Sequence, residues 1–201
     1  MKKFALTAIA LTTTALLLGA CGSSDMGSMD MGSSDSSSMD MGYSIPESAD
    51  FNDADVMFAQ MMIPHHEQAI EMSDIALDPN TGASAAVIAL ATQIKGAQDP
   101  EISQMKNLLT TWGMPMEMGS MDHSSGMDGM LSLEDMDSLG QLKGAEFDKA
   151  WAKGMIAHHE GAIAMANDVL ANGKNSEILA LANAVVSGQS TEIETLKPLA
   201  G

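Results

Sequence analysis

The chain has 201 residues, with 27 acidic side chains against nine lysines, no arginine and a net charge of −18. Neutralising phosphates takes clustered Lys and Arg, so this composition argues against nucleic acid as a partner and against charge-driven binding to an anionic membrane. One cysteine leaves no internal disulfide and no cysteine-built metal site, whereas a diffuse negative field favours cations and keeps the chain in solution.

In chain order, Lys2 and Lys3 precede an apolar run, Phe4 to Leu18, too short and too Thr-rich for a comfortable membrane span. It ends in Leu18-Gly19-Ala20-Cys21, which looks like a lipobox. Residues 1–21 therefore read as a lipoprotein signal peptide, with Cys21 as the lipid-bearing new N-terminus. The chain is expected to be exported and anchored at the outer face of the cytoplasmic membrane or in the periplasm, touching membrane through the lipid alone. Residues 22–49 are almost entirely Ser, Asp, Gly and Met. That composition has too little apolar area to offset its ordering entropy, so a disordered tether is expected. Met26, Met29, Met31, Met39 and Met41 punctuate it.

Two patterned blocks follow, 50–112 and 131–201, and they are copies of each other. Residues 56–72 and 149–165 share nine identities in seventeen, among them Met62/Met155, His65/His158, His66/His159, Glu67/Glu160 and Met72/Met165. Further on, Gln98, Glu101 and Ile102 recur as Gln189, Glu192 and Ile193, with two residues dropped from the second connecting loop. Each block reads as a helical hairpin, rich in Ala, Leu, Ile, Met, Glu and Gln and broken by "DPNTG" (78–82) or "ANGKNS" (171–176). Ser132 and Asp135 would cap a short helix ahead of the third long one. Pro64 and Pro100 fall inside the first block's helices, where kinks are expected. The prediction is all-α: a four-helix bundle of two duplicated hairpins, joined by a Met-rich linker over 113–130.

Helical phase at 100° per residue puts Met62, His65, His66, Ala69 and Met72 on one inward stripe and turns Glu67 outward; Met155, His158, His159, Ala162 and Met165 repeat this. On the partner helices the apolar stripe is interrupted by Gln98 and Glu101, and again by Gln189 and Glu192. Buried amides and carboxylates need partners, and the facing histidines are the natural ones. Glu101 and Glu192, with Gln98 and Gln189, are then either supports that orient an imidazole beside a metal or direct ligands themselves.

Thioether sulfur is soft and selects Cu(I) or Ag(I) over Zn, Fe or Mn. Spaced methionines in a polar segment have no core to fill, so Met26, Met29, Met31, Met39 and Met41, and in the linker Met114, Met116, Met118 and Met121 with His123, are expected to capture soft ions. "FAQMMIPHHEQAIEM" and "LSLEDMDSLGQLKGAEFDKAWAKGMIAHHEGAIAM", with the segment from Ala97 to Lys106, resemble the bacterial family called domain of unknown function 305 across nearly all of 50–201. The resemblance implies a ferritin-like bundle and, from exported members regarded as copper-binding, metal-ligating roles for Met62, His65, His66, Met72, Met155, His158, His159 and Met165. The expected function is Cu(I) buffering, sequestration or transfer, with a copper donor or acceptor protein as partner. Two rivals stay open: a ferritin-like metal oxidase, although Glu-x-x-His is missing, and a metal-free envelope interaction module. One shared site and one site per repeat are equally compatible with the pattern.

Overall fold

The computed structural model describes residues 44–117 and 127–201. The signal segment with Cys21, the tether methionines Met26, Met29, Met31, Met39 and Met41, and Met118, Met121 and His123 of the linker lie outside the described residues.

Five helices are present among the described residues: α1 (Asp53–Leu77), α2 (Ala85–Trp112), α3 (Leu133–Gln141), α4 (Gly144–Asn172) and α5 (Ser176–Ala200). Their starts are set by side chains that accept otherwise unpaired backbone N–H groups. Asn52 and Asp55 form a capping box on α1, Ser84 caps α2 through Val87 N–H, Ser132 caps the short α3 through Asp135 N–H, and Asn175 caps α5. Pro64 and Pro100, like Pro198, lie within helices that continue through them. No helix among the described residues is long and apolar enough to cross a membrane.

α1 packs on α2 and α4 on α5, and the two hairpins meet chiefly along α1 and α4. The apolar core is not continuous. One block holds Val56, Phe58 and Met62 of α1 with Met105, Leu109, Ala166 and Ile178. The other holds Met72 and Ala76 of α1 with Ile94, Phe147, Trp151, Met155 and Leu196. On every long helix buried or half-buried polar residues lie between these blocks: His65 and His66, Gln98 and Glu101, His158 and His159, Gln189 and Glu192. A polar layer therefore crosses the bundle at mid-height, where apolar packing would have been the stable default.

The hairpins also clasp each other at their turns. Asp55, fully buried, accepts from Asn52 N–H at 2.9 Å, and from Lys174 and Asn175 N–H at 3.0 and 3.1 Å in the α4–α5 turn. Asp148, its counterpart in the second repeat, accepts from Ser84 N–H at 3.1 Å in the α1–α2 turn. Each hairpin thus satisfies the helix start of the other.

Candidate metal centre

All four motif histidines are fully buried. Adjacent helical residues point 100° apart, so each pair splits its duties. His66 turns to its own hairpin partner, Nε2 lying 2.8 Å from Glu101 Oε2, and His159 does the same with Glu192 at 2.8 Å. His65 and His158 turn across to each other, their ring centroids 3.8 Å apart and tilted by 41°. The carboxylates are not equally sheltered: the Glu192 side chain is 8% exposed and that of Glu101 21%. Gln93 also donates to Glu192, at 3.3 Å.

These bonds fix the tautomers. A carboxylate accepts, so Nε2 of His66 and His159 carries a hydrogen, and in the neutral ring Nδ1 is the nitrogen with the lone pair. His65 Nε2 lies 3.3 Å from the carbonyl oxygen of Asp128, which can only accept, so its Nδ1 is likewise a bare acceptor. Nδ1 of His65, His66 and His159, and both ring nitrogens of His158, are buried and make no hydrogen bond among the described residues. Gln98 and Gln189 were expected to pair with the histidines. They do not: the glutamates take that place, and neither glutamine amide has a hydrogen-bond partner among the described residues.

Burial pushes the His65 imidazole down from 6.5 to about 3, helped by His66 and His159 and opposed by the Asp128 carbonyl. His158 is held well below its usual value by burial first, then by His65, His159 and His66. The His65 carbonyl opposes that shift weakly, although no ring nitrogen of His158 reaches it at hydrogen-bond geometry. Both rings are therefore neutral, with lone pairs available to an electrophile, at any ordinary pH. The same shifts govern stability. Unfolding returns each imidazole to about 6.5, so between roughly pH 3 and 6.5 the unfolded chain binds more protons and stability falls with acidification. The slope approaches about 1.4 kcal/mol per pH unit for each of the two rings. Urea midpoints of the metal-free protein taken from pH 7.5 to 4.5 should show the decline beginning below pH 6.5; a flat profile would contradict it.

What the ends of the linker do has no signature in the sequence. Gln60 donates to the Pro115 carbonyl at 2.8 Å, and Gln68 clasps Leu131 in both directions at 2.8 Å. The chain at 128–129 passes directly over α4. A Cβ on Gly161 would stand 1.8 Å from the Asp128 carbonyl oxygen, and one on Gly129, whose φ is +86°, would stand 2.2 Å from that of Ala157. Only glycine permits this approach. Gly161 occupies the position that Gln68 holds in the first repeat, so that difference between the copies marks where the strap crosses.

The predicted ligands thus fall into groups. His65, His66, His158, His159, Glu101 and Glu192 share the layer. Met62 and Met155, fully buried, each lie one helical turn before a histidine pair and on opposite sides of the layer, in different core blocks. Met72 belongs to the second block, its carbonyl accepting from Trp151 Nε1–H at 3.0 Å. Met165 is half-buried and lines a groove between α1 and α4. Met114 packs on the first core block, and Met116 is exposed.

Among the described residues no group of three or more His, Cys, Asp or Glu side chains is gathered as a metal site. A soft monovalent ion, satisfied by two or three imidazole and thioether donors, fits the unpartnered lone pairs and buried sulfurs that are present.

Comparisons with known proteins agree with this architecture. A DUF305 fragment from Deinococcus radiodurans superposes with a TM-score of 0.67 at 29% identity, over 75% of this chain and 97% of that one. A DUF305 protein from Streptomyces coelicolor, named as secreted, gives 0.67 at 31% identity over 73% and 89%. CopM in its Cu(II)-bound form gives 0.63 at 31% identity over 73% and 95%, and its Cu(I)-bound form 0.59 at 30% over 72% and 93%. No curated protein matches the chain. The family model described as domain of unknown function (DUF305) matches residues 55–200, which include every residue of the histidine layer, and the chain belongs to that family.

Proposed function

We propose that this protein carries Cu(I) as cargo in the histidine layer and serves copper buffering, sequestration or transfer. The observation that carries the reading is the set of five buried ring nitrogens without a hydrogen-bond partner among the described residues, three of them on imidazoles oriented by Glu101, Glu192 and the Asp128 carbonyl and two on His158. An unpaired buried acceptor costs about 1–3 kcal/mol, and several in one layer are retained for a ligand that uses them. His65 and His158 face each other and supply the nitrogens, while Met62 and Met155 supply sulfur from either side. Glu101 and Glu192 orient His66 and His159 and raise their basicity. Copper- and silver-bound CopM, at about 30% identity, supports the choice of ion.

Burial keeps the His65 and His158 rings neutral before the ion arrives, so loading at neutral pH displaces no proton from either. Burial then excludes water and oxidant from the bound ion. In this reading the protein is exported and lipid-anchored through Cys21, and exchanges copper with a donor or acceptor protein. The Met-rich stretches add a weaker capture zone.

The test is Cu(I) competition between the full chain and a chromophoric chelator, beside the variant H65A/H66A/H158A/H159A. Loss of affinity by more than about 100-fold in the variant is expected. Binding that survives unchanged moves the site to the methionines outside the layer. Absence of binding in both leaves a metal-free helical module.

A further inference from the structure

The two seams between α1 and α4 are related by the repeat, yet they differ in one respect. In the seam holding Met72, the facing residues are Ala150 and Gly154, and the linker's Leu131 fills the space: a Cβ on Gly154 would lie 3.2 Å from the Met72 methyl and 3.4 Å from Leu131. In the other seam Met165 stands where Met72 stood, and the facing positions are Met57 and Met61. This seam is an open groove of about 580 Å³, lined by Met57, Met61, Met165, Phe58 and Asp168 among others. All three methionines are half-buried. A methionine that merely fills a gap belongs in the closed seam; here three thioethers line an open one beneath an acidic rim.

From this arrangement we propose that Met57, Met61 and Met165 form a second, solvent-reachable site for a soft monovalent cation, Cu(I) or Ag(I). Three thioethers satisfy such an ion and are poor ligands for Zn(II) or Mg(II). The groove is many times larger than a bare ion, and the three rotatable bonds of each methionine let the sulfurs close on it. Asp168 at the rim, in a chain of net charge −18, raises the local concentration of cations. Met61 lies one helical turn before His65 on α1, so an ion held there waits one turn from the buried layer. The site takes the identity of its ion from the copper reading above, but its residues are separate from the histidines.

The experiment uses the full chain with methyl-¹³C methionine, titrated with Ag(I) as a redox-inert stand-in for Cu(I). Resonances are assigned by single Met→Leu variants. The methyl signals of Met57, Met61 and Met165 should shift together, and should still do so in H65A/H66A/H158A/H159A. The variant M57L/M61L/M165L, close to volume-conserving, should bind one equivalent of Ag(I) fewer. Unmoved signals from these three methyls while Ag(I) binds elsewhere would overturn the site, as would full stoichiometry in the triple variant. Should that variant not fold, the methyl shifts of the natural chain decide alone. Shifts in the groove with no loss on removing the histidines would sink the histidine reading and leave the groove standing; no Ag(I) binding at all sinks both.

Discussion

Exchanging His65 and His158 for leucine in one variant should give a protein that binds Cu(I) at least about 100-fold more weakly and yet resists urea better than the natural chain. The two rings face each other across the seam of the hairpins and hold three of the five unpartnered ring nitrogens. Leucine has similar volume and no polar atoms, so the substitution joins two apolar core blocks that the layer now separates. Replacing buried polar groups on both sides of a contact by apolar ones is neutral or stabilising, whereas leaving one unpaired is not. The one hydrogen bond lost is His65 to the Asp128 carbonyl. A net gain of about 1–2 kcal/mol at pH 7 in metal-free buffer follows, together with disappearance of the acid slope below pH 6.5. Urea unfolding followed by circular dichroism, with chelator competition on the same sample, reads both effects. A variant less stable than the natural chain would show that the facing imidazoles hold the fold and are not kept for a ligand.

The largest loss of stability should come from Asp55→Ala, at the far end of the molecule from the layer. Its carboxylate accepts three backbone N–H groups, two of them from the other hairpin, in a fully buried position. Removing the acceptor strands those donors and undoes the capping box of α1. Hydrogen bonds to a charged group contribute about 1.5–3 kcal/mol each before the chain relaxes, so a net cost of about 3 kcal/mol is expected. For a bundle of this size that is about 10 °C in the thermal midpoint. Asp148→Ala, which strands a single donor from a half-buried carboxylate, should cost about 1 kcal/mol. Thermal melts of the two variants check the ranking; equal losses would mean that the turn clasp does not hold the hairpins together.

Much of the layer was legible in the sequence, because the 93-residue repeat and helical phase together put two His-His pairs and two glutamates on inward faces. Phase also turned Glu67 outward, where it pairs with Lys106 at 2.7 Å, and the Ser132–Asp135 cap is where its pattern placed it. What phase cannot supply is which neighbour an inward residue meets. His65 and His66 differ by 100°, enough for one to cross to the other hairpin and the other to stay with Glu101; only the packing of four helices decides which. Asp55 and Asp148 sit one residue outside the matching stretch, at 55 and 148, and an aspartate near a helix start reads as an ordinary cap. Gln60 and Gln68 look like surface residues until the linker they hold is in place. Gln98 and Gln189 remain buried amides without partners, and nothing in the structure accounts for them.

Some contacts that cross between the hairpins come in exchangeable pairs: Asp55 to the second turn and Asp148 to the first, His65 against His158. Such reciprocity is the mark of an isologous interface, and one hairpin set beside a twin on a dyad would make every one of these contacts without changing a residue. A single polypeptide cannot keep that dyad, because it must join its halves along one side only. Here the joining segment lays the Asp128 carbonyl on His65 and leaves His158 bare. Covalent fusion thereby turns two equivalent imidazoles into a tethered one and an unencumbered one.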